Sequence, residues 1–330
     1  MTWLTLDSHT TSNDLAALLA LNNEAGITLQ DFLAIAEQVN DHELLGLCRL
    51  RMAQLMHCQC ELADADATQL ERLNDWHRCD KFTSKQKAAL DFTEQFIVGA
   101  KNISPAQRKN LADALQVSEA STFVYGLYIN EAMIRFLTFF GIETQPDHAH
   151  NHRAAAVGEK SDRKFIEWVD AEDSQTNPQL LAAYYAFNRA TCSLHGIDEL
   201  TDEIVRLRSA QYHDCKFCQS VRRIVDKPDG VNDLIDEVQR YQHSAKITPA
   251  QKTALQVLDT FLVEPANVSD ALKDQITQHY SAAQIVELIL KEMFWMSNKP
   301  MIALGTDPGA VSPSEHTPFE YDTEGNFVLL

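Results

Sequence analysis

The chain contains an internal repeat, and this repeat constrains its fold more than any other feature. Residues 49–58 align with residues 206–215, where Arg-Leu-Arg, Ala-Gln and Cys recur at the same spacing. Residues 86–96 align with residues 251–261 through Gln-Lys, Ala-Leu and Phe. Two matching blocks in the same order are not expected by chance, so the chain is two copies of one unit of about 150–165 residues.

The repeat divides the chain into domains. We assign residues 1–145 to an N-terminal domain, 146–162 to a linker, 163–305 to a C-terminal domain and 306–330 to a tail. Both domains end in an apolar run that stops at a glycine. A length of 330 residues suits two domains of ordinary size, which agrees with the repeat.

The linker and the tail have features of their own. His148, His150 and His152 have a spacing that would suit a metal ion in an extended segment. Because no thiol or carboxylate cluster accompanies them, we interpret the segment as a solvated linker and expect no metal site and no cofactor. The tail ends in four apolar residues, 327–330, which favours docking on its own domain or on a neighbouring subunit.

Composition and helix signals predict an all-α fold. Glycine occurs only 11 times, which favours helices joined by short loops. Helix-capping residues precede apolar stretches of helical spacing, and no alternating strand pattern appears before the tail. The predicted helices are one capped by Ser12 that starts at Asp14 and ends before Gly26, one capped by Thr28 over 29–39, one over 43–57, one starting at Ser84, one capped by Asn177, one over 202–212, one capped by Thr248 and one over 286–294.

Charge and composition exclude several classes of partner. The 28 basic and 47 acidic side chains give a net charge of −19, which repels nucleic-acid phosphates and anionic membrane surfaces. The chain lacks the roughly 18 consecutive apolar residues of a membrane span and the pattern of a secretory signal, so we expect a cytoplasmic protein. Seven cysteines, an odd number, argue against a disulfide framework and for catalytic or metal-binding thiols.

The strongest local signal is the Cys-x-x-Cys pair of Cys215 and Cys218. We expect Asp214 to cap a helix that opens at this pair, which would place the thiols where exposed N–H groups favour a thiolate. Two sulfurs in one helical turn can cycle between dithiol and disulfide. The alternative is half of a zinc site, which would need two further ligands, such as Cys58 and Cys60 of the other copy.

Glu203 lies twelve residues before Cys215 and admits two interpretations. It shares a helix face with Leu207 and Ala210, and partial burial there would suit it to proton transfer. Equally, it could form a structural ion pair with Arg206. The residues alone leave both interpretations open.

These residues resemble the AhpD-like peroxidases of the carboxymuconolactone decarboxylase superfamily. The similarity lies in the Arg-Leu-Arg-x-Ala-Gln helix, in Glu203 ahead of the Cys-x-x-Cys pair, and in the helix that starts at residue 248. It covers most of 163–305 and, more loosely, 12–141. The resemblance implies two tandem AhpD-like helical bundles and a homo-oligomer.

The resemblance also implies peroxide reduction. In it, Cys218 attacks the peroxide as a thiolate and becomes a sulfenic acid, Cys215 resolves this acid to an intramolecular disulfide, and Glu203 helps to move the proton. An external thiol reductant, in some relatives a lipoyl-bearing protein, restores the thiols. The implied partners are therefore a small hydroperoxide and this reductant.

Two positions depart from the family pattern. Relatives carry a His four residues after the second Cys, where this chain has Arg222, and some carry a His between the cysteines, where it has Phe217. If Arg222 lies one helical turn after Cys218, its guanidinium can stabilise a thiolate but cannot shuttle a proton. His213 is the nearest spare imidazole, so Arg222 and His213 are the accessory candidates. The departure favours a slow peroxidase or a thiol–disulfide exchanger.

The first copy departs further. It has a Cys-x-Cys pair, Cys58 and Cys60, and Gly46 stands at the position of Glu203. Cysteines one residue apart form a strained disulfide at best, so we interpret this copy as degenerate and kept for assembly. One chain would then mimic a homodimer of single-copy relatives, and either a dimer or a six-unit ring of three chains would follow. The remaining cysteines, expected in the core, are Cys48, Cys79 and Cys192.

Three functions are consistent with these residues. The first is a thiol-dependent peroxidase with Cys218, Cys215 and Glu203 as catalytic residues. The second is a non-catalytic or thiol–disulfide-exchange helical scaffold with a vestigial Cys pair. Lactone or decarboxylase chemistry, known elsewhere in the superfamily, ranks last because a redox Cys pair contributes nothing to it.

Overall fold

The computed structural model describes residues 2–6, 14–63, 65–143, 175–224, 234, 237–312, 316–323 and 325–330. The linker histidines His148, His150 and His152, the cap predicted at Ser12 and the predicted joint between the domains lie outside these residues.

The described residues form a mostly helical fold, as the sequence predicts. The N-terminal helices are α1 (Asp14–Ala20), α2 (Asn23–Val39), α3 (His42–Met56), α4 (Gln59–Leu62), α5 (Ala67–Asn74), α6 (Ser84–Gly99), α7 (Pro105–Leu115) and α8 (Val117–Phe140). The C-terminal helices are α9 (Pro178–Cys192), α10 (Glu199–His213), α11 (Lys216–Ser220), α12 (Pro249–Val263), α13 (Asp270–His279), α14 (Ala282–Trp295) and α15 (Lys299–Leu304). None of these helices combines the length and the apolar character needed to cross a membrane.

Equivalent caps start equivalent helices in the two copies. Thr83 and Thr248 each form a capping box with the glutamine three residues later, at the starts of α6 and α12. The predicted caps at Asn177 and Thr248 are confirmed. The left-handed residues Gly141 and Gly305, with φ of 67° and 76°, end α8 and α15. The internal repeat in the sequence is therefore also a repeat of local structure.

The predicted helix boundary around Gly26 is wrong. Helix α2 begins at Asn23, so Gly26 and Thr28 lie inside it rather than between two helices. A Cβ at Gly26 would come within 2.7 Å of the Leu19 carbonyl oxygen. The glycine therefore allows α2 to approach the end of α1 closely, and it does not terminate a helix.

The two copies share one hydrophobic core. Helix α2 packs against its counterpart α9, where the rings of Phe32 and Tyr184 lie 6.0 Å apart. Helix α8 of the first copy packs on α12 and α15 of the second. Tyr128 donates a hydrogen bond to the Met293 carbonyl oxygen over 2.6 Å, which joins the copies in the interior.

The tail docks on the C-terminal copy of its own chain. It forms strands β2 (Thr317–Tyr321) and β3 (Phe327–Leu329), which extend a short strand β1 (Val221–Arg223) in the order β1-β2-β3. Strands β1 and β2 are parallel, and β2 and β3 are antiparallel. Of the two docking places expected for the tail, the structure therefore shows the chain's own domain.

Candidate thiol site

A tight turn between α10 and α11 positions the two cysteines. Asp214 adopts the left-handed conformation, with φ of 56°, and closes α10 as its C-cap. Cys215 is the N-cap of α11, and its Sγ accepts a hydrogen bond from the Cys218 backbone N–H over 3.2 Å. The prediction that Asp214 caps the second helix is therefore wrong. Asp tolerates the left-handed region better than most residues do, so it ends the first helix and leaves the capping position to the thiol.

One amide contacts both sulfurs. Asn298 Nδ2 donates to Cys218 Sγ over 2.8 Å and lies 3.8 Å from Cys215 Sγ. Both cysteines are free thiols, Cys215 buried and Cys218 partly exposed. Among the described residues no cluster of three or more His, Cys, Asp or Glu side chains could hold a metal, so Cys58 and Cys60 do not complete a zinc site with this pair.

The two thiols differ in acidity. A side-chain hydrogen bond from the Cys215 thiol lowers the pKa of Cys218 most. The Arg206 guanidinium and the Asn298 amide lower this pKa further, whereas burial raises it. The same bond, together with burial, raises the pKa of Cys215. Of the two thiols, Cys218 is therefore the one that ionises first, and Cys215 is the one that holds its proton longer.

Glu203 forms a buried ion pair with Arg206. The Arg206 Nε and Nη2 atoms donate to the two carboxylate oxygens over 2.6 and 2.7 Å, and the Arg223 backbone N–H donates to Glu203 over 3.2 Å. Arg206 also donates to the carbonyl oxygens of Cys218 and Val221. Of the two interpretations of Glu203, the structure forms the ion pair, and both carboxylate oxygens are engaged away from the sulfurs.

Arg222 does not lie one helical turn after Cys218, where the sequence spacing would place it. Helix α11 ends at Ser220 and residues 221–223 form β1, so Arg222 does not follow Cys218 on a helical face. Its guanidinium donates to the carbonyl oxygens of Gln219 and Val221 and lies 3.1 Å from His316 Nε2. The cation that affects the Cys218 thiolate is Arg206 instead.

His213 is buried at the end of α10, towards the interface of the two copies. Burial, followed by the charges of Lys299, Arg135 and Lys101, lowers its pKa. Its side chain does not line the pocket that contains Cys218. The structure thus places both accessory candidates, His213 and Arg222, outside that pocket.

A pocket of about 60 Å³ opens at Cys218. Its walls come from the C-terminal copy and the tail, and seven of the sixteen described lining residues are aromatic, including Tyr184, Trp295 and Phe327. Cys192, expected in the core, also lines this pocket. Among the buried polar atoms of the lining, Trp295 Nε1 and Asn188 Oδ1 have no hydrogen-bond partner in the described structure.

Sequence reasoning missed four residues that form the site. Arg206 is part of the repeated block and recurs as Arg49 in the first copy. Because both copies have this arginine, the sequence identifies it only as a possible ion-pair partner of Glu203 and not as a residue that affects Cys218. Asn298 follows α14 at a break before Pro300, and proline at the start of a new helix marks such breaks. Tyr321 and Phe327 come from the tail, whose place on the pocket follows only from the folded chain.

Comparisons with known proteins leave the function to be argued from this geometry. No family model matches the chain. Two uncharacterized proteins of Mycobacterium tuberculosis, MT2376 of strain CDC 1551 and Rv2313c of strain H37Rv, are each 29% identical to it over 225 residues, covering 67% of this chain and 73% of theirs. No solved structure matches significantly.

Proposed function

We propose that the protein is a thiol-dependent oxidoreductase that reduces hydroperoxides, with Cys218 as the reacting thiolate and Cys215 as the resolving thiol. The observation that carries this proposal is the asymmetry of the pair. The partly exposed Cys218 lines a pocket and has a lowered pKa, while its buried neighbour Cys215 has a raised pKa. A low-pKa, accessible thiol next to a second thiol is the usual arrangement of a redox cysteine.

The proposed reaction has three steps. The Cys218 thiolate attacks the terminal peroxide oxygen, the O–O bond breaks, and the leaving alkoxide takes a proton from solvent to form an alcohol. The Cys215 sulfur then attacks the sulfenic acid at Cys218, which forms the disulfide and releases water with the Cys215 proton. An external dithiol, such as a lipoyl group, reduces this disulfide through a mixed disulfide and is itself oxidised.

Arg206, Asn298 and Glu203 have different proposed roles. Arg206 and Asn298 stabilise the thiolate, since a nearby cation and a hydrogen-bond donor both favour the charged form of a thiol. Glu203 is a positioning residue, because both of its carboxylate oxygens accept hydrogen bonds from Arg206. The resemblance suggested a proton-moving Glu203, and the occupied carboxylate favours the positioning role instead.

The test is peroxide consumption by purified protein with an excess of a small dithiol. Cys218→Ser should abolish consumption, and the matched control Cys60→Ser, at a fully buried cysteine of the first copy, should not change it. Cys215→Ser should leave a sulfenic acid that a dimedone-type reagent traps at Cys218. A Cys218→Ser protein that consumes peroxide as fast as the parent would exclude the proposed chemistry.

A scaffold or thiol–disulfide-exchange role is the second candidate. It is favoured because no histidine of the described residues lines the pocket, and because Arg222 is outside the lining and donates to backbone carbonyl oxygens. Titration of the thiols separates the two candidates. A vestigial Cys218 should ionise as an ordinary thiol at about pH 8.5, whereas a reacting Cys218 should ionise at lower pH.

The proposal also covers the cellular compartment and the oligomeric state of the protein. A dithiol site that must be reduced after each turnover suits a reducing compartment, so we propose a cytoplasmic protein. A homo-oligomer of two or three chains is the proposed assembly, and sedimentation of the purified protein tests it.

A further inference from the structure

The C-terminal hairpin, made of β2 and β3, is built into the thiol site. Strand β2 pairs with β1, which begins three residues after Cys218. Phe319 of β2 is fully buried, and the Arg206 guanidinium carbon lies 5.1 Å from the centre of its ring. A guanidinium over an aromatic face is held there by electrostatic attraction. The hairpin therefore contacts the same cation that stabilises the Cys218 thiolate.

The hairpin also forms one wall of the pocket. Tyr321, Gly325 and Phe327 line it together with Cys218. The Phe327 ring lies 6.1 Å from the ring of Phe217, the residue before Cys218, and stacks at 4.3 Å on the ring of Phe319. These contacts fix an aromatic side chain of the tail close to the reacting thiol.

A glycine allows the hairpin to approach this closely. Gly325 has a φ of 77°, and a Cβ at this position would lie 2.5 Å from the Arg189 carbonyl oxygen of α9. Any other residue would be strained there, because the backbone is left-handed and because there is no space for a side chain. Three local features, the buried Phe319, the stacked Phe327 and this glycine, thus agree on one docked position.

We propose that the C-terminal hairpin determines which molecules reach Cys218, with Phe327 as the limiting wall residue and Phe319 as the anchor. This inference rests on the proposed function in taking Cys218 as the reacting group. Small or slender molecules pass the wall, and bulky ones are excluded by the Phe327 ring. A pocket of about 60 Å³ with an aromatic wall selects by size and apolar contact.

The experiment compares two thiol reagents on the full-length, reduced protein, without peroxide. Rates of Cys218 modification by iodoacetamide, which is small, and by a pyrene maleimide, which is bulky, are followed by peptide mass spectrometry. Phe327→Ala should raise the maleimide rate about tenfold or more and change the iodoacetamide rate much less. Val328→Ala, which changes the next residue of the same strand outside the pocket lining, should change neither rate.

Folding is monitored in the same samples through Cys48, which is fully buried. If Phe327→Ala exposes Cys48 to the reagents, Phe327→Leu replaces it as the milder variant. A ratio of the two rates that stays unchanged in the folded variant overturns the inference, whether or not the protein consumes peroxide. A changed ratio supports it even if Cys218→Ser leaves peroxide consumption intact, a result that would overturn only the proposed function.

Discussion

The two copies of the repeat contain the same turn, but among the described cysteines a lowered pKa is found only in the second copy, at Cys218. His57 and Asp214 both close their helices in the left-handed conformation, with φ of 57° and 56°. The next residue is a cysteine in each case, Cys58 or Cys215, and its N–H donates to the carbonyl oxygen five residues earlier over 2.9 or 3.0 Å. The backbone of the site is therefore common to both copies.

The surroundings of the two turns differ. Cys58 and Cys60 are fully buried, and burial is the main cause of the raised pKa of Cys58. Cys218 is partly exposed and has a lowered pKa. The comparison teaches that the turn alone does not make a thiolate. The Cys215 thiol of the same turn lowers the pKa of Cys218 most, and Arg206 and Asn298, which lie on other elements, lower it further.

The equivalent thiols Cys58 and Cys215 both have a raised pKa, and Glu61 stands at the position of Cys218 in the first copy. Two further positions of the site also differ. Glu203 corresponds to Gly46, so the equivalent Arg49 has no carboxylate at this position and pairs with Glu37 and Glu61 instead. Asn298 lies seven residues before Gly305, and Ile134 lies seven residues before the equivalent Gly141, so the first copy also lacks the amide at the sulfurs. The first copy thus keeps the fold and has lost the polar groups.

The shared arginine gives the largest expected effect. Arg206 and Glu203 are a buried pair, with side chains 4% and 0% exposed, whereas Arg49 is 30% exposed and pairs with Glu37 and Glu61. Arg206→Gln leaves a buried carboxylate without its partner and should lower the free energy of unfolding by about 3–5 kcal/mol. The matched change Arg49→Gln should lower it by about 1 kcal/mol or less.

Urea unfolding of both variants measures this difference. The same Arg206→Gln protein should also show a raised pKa of Cys218, because a neighbouring cation is lost. Equal losses of stability in the two variants would show that the arginines are equivalent and that the contrast between the copies is not electrostatic.

Asn298→Ile gives the second copy the residue of the first. It removes the hydrogen bond to Cys218 Sγ, and a hydrogen bond to a charged group contributes about 1.5–3 kcal/mol. We expect the pKa of Cys218 to rise and its alkylation by iodoacetamide at neutral pH to slow about tenfold. Ile134→Asn in the first copy is the control. If Asn298→Ile leaves the alkylation rate unchanged, the amide has no part in the acidity of Cys218.

Sequence reasoning found what is repeated and what is local. The helical class and the caps at Asn177 and Thr248 follow from patterns of neighbouring residues, and the structure confirms them. Strand β1 has three residues, too few for a pattern, and its partner β2 lies about a hundred residues later. The site depends on such distant contacts. Arg206 acts on Cys218 across twelve residues and Asn298 across eighty, so spacing within the motif could not identify either.

His213 gives a pH-dependent contrast with its counterpart Met56. Its pKa in the folded protein is lowered by burial and by neighbouring cations, so the unfolded chain binds a proton that the folded protein does not. Stability due to this group is therefore lost as the pH falls below about 6.5. His213→Met removes the loss, and at pH 5.5 the variant should retain about 1 kcal/mol more of its neutral-pH stability than the parent.

Urea midpoints at pH 7.5 and 5.5 for both proteins test this. Other buried acids, such as Glu292, contribute equally to the parent and the variant, so the difference between them isolates His213. Parallel pH profiles for the two proteins would mean that the imidazole is protonated in the folded state as readily as in the unfolded chain.

The smallest effect is expected at Gly46, which stands at the position of Glu203. A substitution there tests whether the first copy tolerates a side chain at this position. Gly46 lies inside α3, and a Cβ at this position would have no atom within 4 Å. Gly46→Ala should therefore raise the free energy of unfolding by about 0.5–1 kcal/mol, because alanine loses less backbone entropy in a helix. At the equivalent position of α10, Glu203→Ala should destabilise the protein, since it leaves Arg206 buried without its counterion. Opposite signs at one position of the repeat would show that the second copy alone depends on the ion pair, whereas a destabilising Gly46→Ala would mean that the first copy packs something against that glycine.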